Sequence, residues 1–480
     1  MEIESPAIVW FRDDLRLADN PALTAAAQSG APIVALFVLD DAAMGDWRLG
    51  AASRWWLHHS LAALSRDLAA RGASLVFRRG AADMALAHLV AETGARSVFW
   101  NRLYEPWAVR RDGEIKARLR GQELRVESFN AALLFEPTAL RSGQGKPFRV
   151  FTPFWRAALA APPPEAPLPA PRPLRPGPAV QSDALADWRL LPTRPDWAGG
   201  LRDAWTPGEA AAREALARFA ARGAARYGQA RDMLGSEGVS RLAPHLRFGE
   251  ISPRQVWHAV SAQAGEAGAP FLRQLGWREF CRHLLFSNPE MPESPLDRAF
   301  AGFPWREDPR GLAAWKKGET GYPLVDAAMR ELWRTGYVHN RARMVAASFL
   351  VKHLLASWRS GEGWFWDTLV DADLANNAGG WQWVAGCGAD AAPYFRVFNP
   401  VLQGEKFDPE GEYARRNLPE LARLDAKWIH RPWEAPQSVL RAAGVRLGET
   451  YPERIVDHGF ARDRALAAYA QMRGAGRERG

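Results

Sequence analysis

The stretch "DADLANNAGGWQW" at positions 371–383 decides the fold of this 480-residue chain. It places two carboxylates two residues apart and an amide, Asn377, six residues after the first of them. Paired glycines and two tryptophans follow directly. Glycines allow a close backbone approach, but the stretch is too polar for a core helix and too aromatic for a plain loop. The combination is therefore more typical of a functional segment than of packing alone.

The sequence around this stretch predicts a nearly all-α unit. Residues 314–355 have the pattern of successive amphipathic helices separated by glycine, and strand signals nearly vanish from about position 206 onward. The segment "TPGEAAAREALARFA" (206–220) predicts a helix that is capped by Thr206 and has Pro207 at its first position. We therefore expect a helical domain over 206–475.

A proline-rich segment precedes the helical unit. Residues 162–178 read "PPPEAPLPAPRPLRPGP", with nine prolines in seventeen positions. Such a composition is typical of an extended or irregular connection between two folded units. We predict an interdomain linker over 133–205.

The first part of the chain alternates strand and helix signals. Amphipathic stretches that end at glycine lie between short apolar runs. This alternation predicts a doubly wound α/β domain over 1–132. No GxGxxG follows the first strand and no GxxxxGK[ST] occurs, so an ordinary dinucleotide or P-loop site is not supported. The apolar runs have the length and composition of buried parallel strands and lie at 7–11, 32–40, 74–80, 97–101 and 124–129.

The composition excludes several classes of protein. There is no apolar run of membrane-spanning length and no signal-peptide pattern, so we expect a cytoplasmic protein without a membrane span. Cys281 and Cys387 are too few for a disulfide framework or a zinc site, and we expect no metal. The charge of 62 basic minus 54 acidic residues, +8, suits a phosphate-backbone partner but also an Arg-rich solvated surface. The 22 tryptophans are unusual, because Trp serves in base stacking and electron transfer as well as in cores.

Five stretches, in order along nearly the whole chain, together closely resemble the photolyase/cryptochrome family. The resemblance implies an N-terminal antenna domain, a long linker and a helical domain that holds FAD. A helical bundle would carry the flavin without a Rossmann fingerprint, which agrees with the absence of that motif. The stretches are "VWFRDDLRLADNPAL" (9–23), "GVSRLAPHLRFGEISPRQVW" (238–257), "WREFCRHLL" (277–285), "TGYPLVDAAMRELWRTGYVHNRARM" (320–344) and the opening stretch (371–383).

The resemblance also implies which residues hold FAD. The turn at 239–243 would bind the diphosphate, because a glycine-led turn that opens a helix offers free backbone N–H groups. The family usually has Thr-Ser-Arg-Leu-Ser there, so Val239 and Ala243 remove two side-chain donors. Arg343 would pair with Asp371 near the flavin ring. The full implied set is Tyr227, Val239, Ser240, Arg241, Leu242, Ala243, Arg343, Asp371, Ala372, Asp373 and Asn377.

Four residues carry the implied photochemistry. Asn377 matches the position that faces flavin N5 in photolyases, where plant cryptochromes usually have Asp. An amide can form a hydrogen bond there but cannot donate a proton as an acid would, which favours the reduced, anionic flavin. By resemblance, Trp381, Trp358 and Trp305 form an electron relay from the flavin to the surface.

On the substrate side, Trp277 and Trp383 would offer flat faces to a flipped-out dimer. Asn340 would hydrogen-bond the Watson–Crick edge of a thymine, and Met344 would supply soft packing. Gln274 stands where most bacterial members have Glu, and it can still donate a hydrogen bond to the dimer but carries no charge. Contacts with the DNA backbone are implied for Arg231, Arg278, Arg341 and Gln403.

The resemblance therefore implies light-driven repair of cyclobutane pyrimidine dimers in UV-damaged DNA, by a monomer without an obligate protein partner. A cryptochrome-type blue-light photoreceptor is the first alternative, and Asn377 and the lack of a long polar tail before Gly480 count against it. A (6–4) photolyase is the second, but this chain has His339 followed by Asn340 where those enzymes usually have a His pair. A generic basic nucleic-acid binder would explain the charge but none of the flavin motifs.

The segment that would bind the antenna chromophore departs from the family pattern. Trp107 and Ala108 stand where the folate-binding pattern of the family often shows Asn and Glu. Methenyltetrahydrofolate, bound in a different way, is the first expectation, and a deazaflavin is the second.

Overall fold

The computed structural model of the chain describes residues 5–390 and 395–477. Its N-terminal region contains β1 (Ala7–Phe11), β2 (Ile33–Leu39), β3 (Leu75–Arg79), β4 (Ser97–Asn101) and β5 (Arg125–Phe129). These strands form one parallel sheet in the order β3–β2–β1–β4–β5, with Val9 opposite both Ala35 and Phe99. The predicted α/β fold is confirmed, and each strand begins and ends within one residue of its predicted bounds.

Helices cover both faces of this sheet. They are α1 (Pro21–Gln28), α2 (Asp41–Met44), α3 (Ala51–Ala69), α4 (Ala82–Thr93) and α5 (Pro106–Gly121). Successive residues of β1 alternate between two cores, because side chains along a strand point to opposite faces. Val9 packs in the core that includes α1 and α3, and Ile8 packs in the core that includes α4 and α5.

The proline-rich segment (162–178) lies against the sheet region. It is irregular, as predicted, and α6 (Phe151–Ala160) and α7 (Gly199–Ala204) lie on either side of it in the chain. The Asp19 N–H donates to the Leu168 carbonyl at 2.8 Å, and the Ile33 N–H donates to the Arg175 carbonyl at 2.8 Å. Backbone hydrogen bonds therefore fix the course of this segment.

The rest of the chain is helical, as predicted, but its first helix begins later than the sequence suggests. α8 (Glu209–Arg222) is capped by Gly208, so the prediction of a Thr206 cap followed by Pro207 is wrong. Gly208 has a φ of 119°, and its N–H donates to Glu250 Oε1 at 2.7 Å. This tertiary hydrogen bond fixes a glycine-type conformation at the point where the helix starts.

The remaining helices form one continuous core. They are α9 (Tyr227–Ala230), α10 (Ala243–Arg247), α11 (Pro253–Ala264), α12 (Ala269–Ser287), α13 (Pro309–Lys317), α14 (Pro323–Thr335), α15 (Asn340–Ser348), α16 (Trp358–Thr368), α17 (Leu374–Ala385), α18 (Pro400–Phe407), α19 (Glu412–Asn417), α20 (Ala426–Ile429), α21 (Gln437–Ala443) and α22 (His458–Arg477). A π-helical turn, Phe349–His353, continues from α15. No helix in the described part of the chain is long and apolar enough to cross a membrane.

Buried polar contacts join the sheet region to the helices. Trp56 of α3 donates its indole N–H to Glu250 Oε1 at 3.0 Å, and Arg254 of α11 pairs with Asp19 at 2.7 Å. Glu250 and Asp19 are both fully buried. A buried carboxylate is costly when it loses its partner, so these contacts hold the two regions in one arrangement.

Candidate functional site

A cavity of about 100 Å³ lies where α15, α16 and α17 meet. Phe365, Leu369 and Val384 contribute apolar surface to it, and Asn376 contributes a polar group. Because the predicted residues that line the cavity come from two separate stretches of sequence, 320–344 and 371–383, their meeting in one cavity is a result of the fold. Eight of the predicted residues line it: Asn340, Arg343, Met344, Asp371, Ala372, Asp373, Asn377 and Trp381.

The starts of α15 and α17 place the two predicted asparagines of this cavity, Asn340 and Asn377. Asp373 caps α17 by accepting a hydrogen bond from the Asn376 N–H at 2.9 Å, and Asn377 follows in the first turn. His339 caps α15 in the same way, so Asn340 is the first residue of that helix. Asp is a common N-cap residue because its side chain accepts a backbone hydrogen bond, which explains why α17 starts at this point.

The ion pair expected between Arg343 and Asp371 is present. Arg343 Nη2 lies 3.2 Å from Asp371 Oδ1 and 3.0 Å from Oδ2. The Asp371 side chain is only 5% exposed, whereas that of Arg343 is 25% exposed. The pair thus forms a polar edge on the cavity.

Asp373 and Ala372 are held by other arginines. Arg282 pairs with Asp373, and Arg247 Nε donates to the Ala372 carbonyl at 2.6 Å. Burial alone would raise the pKa of Asp373, but Arg282 and neighbouring arginines lower it well below its usual range. Asp373 is therefore a fixed carboxylate whose main partners belong to the protein, and its predicted contact with a flavin stays a prediction.

Asn377 presents an oxygen without a partner. Its side-chain amide donates to the Glu362 carbonyl at 3.0 Å, and the amide oxygen accepts no hydrogen bond from the described residues. The Glu362 side chain is buried, and neither of its carboxyl oxygens has a hydrogen-bond partner in the described chain. Burial raises the pKa of Glu362 well above its ordinary value, which favours the neutral carboxyl over the carboxylate.

These groups suit one edge of a flat heteroaromatic ring. The apolar walls can cover its faces, the Asn377 oxygen can accept a hydrogen bond, and the Arg343–Asp371 pair offers both a donor and an acceptor. The residues present thus fit the ring of FAD. The described residues contain no group of three or more His, Cys, Asp or Glu that could hold a metal ion.

The predicted diphosphate segment lies outside this cavity. Arg241 has a φ of 54°, and its guanidinium lies 4.2 Å from the ring centroid of Trp205. Ser240 Oγ accepts a hydrogen bond from the Leu242 N–H at 3.3 Å, and Ala243 starts the short helix α10. Left-handed backbone at a residue other than glycine is uncommon, so this turn is held in an unusual shape.

Two other members of the diphosphate prediction add little to that turn. Val239 is partly buried and offers no side-chain donor. Tyr227 packs against Phe271 at 5.2 Å between ring centroids and lies under the Arg231 guanidinium. The diphosphate role of the segment stays a prediction.

Of the three predicted relay tryptophans, only Trp381 lines the cavity. Trp358 begins α16, and Gly361 of that helix lies directly against the Trp381 ring. Trp305 is partly exposed and packs on Phe303 with 4.3 Å between ring centroids. No direct ring contact joins Trp358 to the other two within the described residues, so the relay stays a prediction.

The two predicted dimer-facing tryptophans lie outside the cavity. Trp277 stacks on Phe151 with ring centroids 3.9 Å apart, so one of its faces is covered. Trp383 donates its indole N–H to the Asp390 carbonyl at 3.1 Å. Gln274 is partly exposed, three residues before Trp277 on α12. Their joint role toward a substrate stays a prediction.

Asn340 and Met344 lie next to each other on the cavity wall. The Asn340 amide nitrogen is 3.7 Å from Met344 Sδ, and Asn340 is exposed. The neighbouring His339 is buried, and burial lowers its pKa to about 4. The ring of His339 is therefore neutral at physiological pH.

The predicted DNA-backbone residues divide into two groups. Arg231 and Arg341 share Asp232, at 3.8 Å and 2.9 Å, and Arg341 also lies over the Phe407 ring. Phe407 belongs to α18, which also carries the predicted residue Gln403. By contrast, the Arg278 guanidinium is 12% exposed and donates to the Ala132 carbonyl at 2.9 Å and to Glu279 at 3.0 Å. Burial lowers the pKa of Arg278 to about 10.

Three residues around the site were missed in the sequence. Arg247 and Arg282 lie inside the quoted motifs but have no pattern that separates them from surface arginines. Trp315 is fully buried and contacts Trp381 with 6.1 Å between ring centroids. Only the Trp richness of the helical region could have pointed to Trp315.

Known proteins match both regions of the chain. A family profile described as DNA photolyase matches residues 7–172, and one described as the FAD binding domain of DNA photolyase matches residues 271–471. The chain is 51% identical over 475 residues to a deoxyribodipyrimidine photo-lyase of Agrobacterium fabrum, which covers 98% of this chain and 98% of that protein. It is 43% identical over 481 residues to cryptochrome-1 of Arabidopsis thaliana, which covers 97% of this chain and 70% of that protein.

A solved structure agrees in fold. A bacterial class III photolyase from Agrobacterium tumefaciens is similar with a TM-score of 0.94 and 51% identity, over 98% of each chain. The sheet region, the helical region and their order are thus shared with these proteins.

Proposed function

Because the chain belongs to the photolyase/cryptochrome family, we propose that it is a deoxyribodipyrimidine photo-lyase that uses light to split cyclobutane pyrimidine dimers in UV-damaged DNA. The observation that carries the proposal is the single cavity shared by Asn377, Trp381 and the Arg343–Asp371 pair with Asn340 and Met344. This cavity brings the groups suited to a flavin within reach of the groups suited to a thymine. The relatives named as photo-lyases support the same activity.

The residues of the cavity would hold and orient the reactants. When bound, reduced FAD supplies the electron that light drives onto the dimer and that returns after the ring has split. Asn377 and the Arg343–Asp371 pair would bind the ring edge, and Asn377 cannot protonate it because an amide is not an acid. Phe365 and Leu369 would exclude water, and Asn340 would hold the flipped base by its hydrogen-bonding edge. Trp381, Trp358 and Trp305 would serve as an electron relay.

The neutral state of His339 favours the cyclobutane dimer over the (6–4) lesion. Repair of a (6–4) lesion is expected to need a His that can donate a proton. Burial lowers the pKa of His339 to about 4, and the next residue is Asn340 in place of a second His. Gln274, unlike Glu, brings no charge to the dimer, but a neutral hydrogen bond of about 0.5–1.5 kcal/mol is still useful.

The enzyme would act in the cytoplasm, where its DNA substrate is accessible, as a monomer without an obligate protein partner. Arg231 and Arg341 would contact the DNA backbone, because both are partly exposed and both lie beside Asp232. Gln403 would extend this contact surface along α18.

The proposed antenna chromophore is methenyltetrahydrofolate, with a deazaflavin as the second candidate. A cavity outside the carboxyl ends of the strands, where open α/β sheets bind ligands, is lined by Trp10, Trp47, Trp107 and Trp366. A second position is Trp333, which is 59% exposed, stacks in parallel with Trp364 and borders another cavity. Both positions offer indole faces to a flat chromophore.

Spectra of the purified protein test the antenna proposal. The released chromophore is identified by its absorption after denaturation, and the samples compared are wild type, Trp47→Ala and Trp333→Ala. Loss of the chromophore in one variant assigns the position. Retention in both variants would contradict the two positions named.

The repair proposal is tested with pure lesions. Protein reconstituted with FAD is reduced, illuminated without oxygen and given single-stranded oligonucleotides that carry either a cyclobutane dimer or a (6–4) photoproduct. Chromatography should show restored thymines from the cyclobutane dimer alone, and Gln274→Glu should change the yield modestly without changing the substrate. Restored bases from the (6–4) lesion alone would reverse the assignment, and no repair of either lesion would favour the photoreceptor.

A further inference from the structure

We propose that a cleft between the sheet region and the starts of α8 and α11, separate from the flavin cavity, binds a short polyphosphate chain. The cleft has a volume of about 550 Å³ and is bordered by the loop after β1, the end of α3, the proline-rich segment and the starts of α8 and α11. This volume lies within the range of about 300–1,000 Å³ that small-molecule sites occupy. It shares no lining residue with the cavity at Asn377.

Three arginines reach this cleft from three different segments. Arg71 ends the α3 region, Arg172 belongs to the proline-rich segment, and Arg213 lies on α8. None of their guanidinium groups forms a hydrogen bond or an ion pair with another described residue, and Arg71 Nε is buried without a partner. Guanidinium groups bind phosphate oxygens through paired N–H donors, so three free ones match a ligand with several oxyanions.

The two helices that start at the cleft add to its positive potential. Ala210 lies in the first turn of α8, and Gln255 lies in the first turn of α11. The start of α8 has no side-chain cap, so its free N–H groups favour a nearby anion. At α11 the Gln255 N–H already donates to Ser252 Oγ at 2.9 Å, so only the helix dipole contributes there. The arginines and the helix ends therefore act in the same direction.

Two carboxylates also border the cleft, and one of them is already satisfied. Glu209 accepts hydrogen bonds from the Leu17 N–H at 2.6 Å and the Ala18 N–H at 3.0 Å. Asp67 has no ion pair within the described residues, but burial raises its pKa and the nearby charges of Arg71 and Arg66 partly offset that rise. An incoming anion would work against both carboxylates, and Asp67 is the one that no described hydrogen-bond donor satisfies.

The rest of the lining limits the ligand class. It consists of aliphatic and proline side chains such as Leu17, Pro169 and Ala170, and no aromatic ring lines the cleft in the described chain. A nucleobase would find no stacking partner there. The recognised part of the ligand is thus the phosphate chain, whether it is inorganic or the end of a nucleoside triphosphate.

Titration calorimetry of the FAD-loaded protein with tripolyphosphate tests the proposal. Arg71→Gln should raise the Kd about tenfold, the equivalent of one charge-assisted hydrogen bond at a half-buried site. Asp67→Asn should lower the Kd, because the opposing charge is removed. Arg218→Gln is the matched control, since Arg218 is an exposed residue of α8 outside the cleft and should leave the Kd unchanged.

Two further arms separate the alternatives. ATP should bind as tightly as tripolyphosphate. Arg213→Gln should weaken binding as Arg71→Gln does, and the exposed position of Arg213 keeps the fold unchanged. Light-driven repair by these variants should stay at the wild-type level. Equal Kd values for wild type and both Arg variants, or displacement of tripolyphosphate by an undamaged oligonucleotide, would overturn the proposal.

Discussion

Trp381 is the residue through which the proposed relay reaches the flavin cavity. Trp381→Phe should largely abolish blue-light reduction of oxidised FAD, because phenylalanine is far harder to oxidise than the indole it replaces. Repair by chemically reduced enzyme should persist, since the relay does not take part in dimer splitting. Absorption spectra during illumination measure the first effect, and product chromatography measures the second.

Trp315→Phe provides the matched control for this experiment. Trp315 touches the Trp381 ring but does not line the cavity, and its indole N–H donates to the Ala346 carbonyl at 2.9 Å. We expect this variant to keep the wild-type rate of photoreduction through Trp358. A wild-type rate of photoreduction in Trp381→Phe would instead mean that Trp381 only packs in the core.

Arg231 should contribute to the salt dependence of DNA binding. Each phosphate contact makes log Kobs fall with log salt by a slope of about 0.9 in duplex DNA, so Arg231→Ala should make the slope shallower by that amount. Arg278→Gln serves as comparison, because its guanidinium is directed into the protein toward Ala132 and Glu279. It should lower the melting temperature and leave the slope unchanged. Binding isotherms at several salt concentrations measure the slopes. An unchanged slope in Arg231→Ala would mean that Arg231 does not contact a DNA phosphate.

At the level of single residues, a pair was predicted only where the family resemblance implied both partners. The Arg343–Asp371 pair was predicted because the resemblance implies both residues near the flavin ring, and it is present. The partner of Asp373 was not predicted, because Arg282 lies 91 residues away and reaches it only when α12 packs on α17. Chain topology, and not residue type, selects that partner.

At the level of elements, the contact between α16 and α17 positions Trp381. A Cβ on Gly361 would lie 2.0 Å from the Trp381 ring, so Gly361→Ala must push the two helices apart. We expect a loss of stability of about 1–3 kcal/mol, as for other overpacked cores, together with slower photoreduction.

Gly363→Ala is the internal comparison on the same helix. A Cβ at Gly363 would meet nothing within 4 Å, so this change should stabilise α16 by about 0.5–1 kcal/mol. Urea unfolding of both variants measures the difference. Equal midpoints for the two would mean that α16 can shift without cost.

The bounds of elements followed from the sequence where local pattern decides them. The five strands were predicted closely, because buried parallel strands are continuous apolar runs between glycine-ended helices. The start of α8 was predicted wrongly, because Gly208 takes its conformation from a hydrogen bond with Glu250, 42 residues later. A cap that depends on a distant carboxylate leaves no local signal.

At the level of the whole molecule, a buried histidine links stability to acid. Burial lowers the pKa of His353 to about 3, and its Nε2 lies 2.9 Å from His458 Nδ1 on α22. The unfolded chain binds a proton near pH 6.5 that the folded chain refuses until about pH 3. The contribution of His353 to the free energy of unfolding is therefore fully present above pH 6.5. It falls by about 1.4 kcal/mol for each pH unit below that value.

His353→Phe should remove this contribution while it keeps a ring against Phe349. The variant should lose less stability than the wild type between pH 6.5 and pH 4, as measured by urea midpoints at each pH. Burial raises the pKa of Glu279 to about 7, so its contribution to stability changes with pH in the opposite direction. Both proteins contain Glu279, so the difference between their curves reports on His353. Parallel curves for the two proteins would contradict the assignment.

The buried contacts between the sheet region and the helices also bear on protein engineering. Trp56 shares the Glu250 carboxylate with the Gly208 N–H, and Arg254 closes on Asp19. A chimera that joins the first half of this chain to the second half of a relative would have to transplant both sides of each contact together. Recombination libraries should therefore yield folded chimeras when both residues of each contact come from the same parent. Chimeras that take the two residues of a contact from different parents should be mostly insoluble.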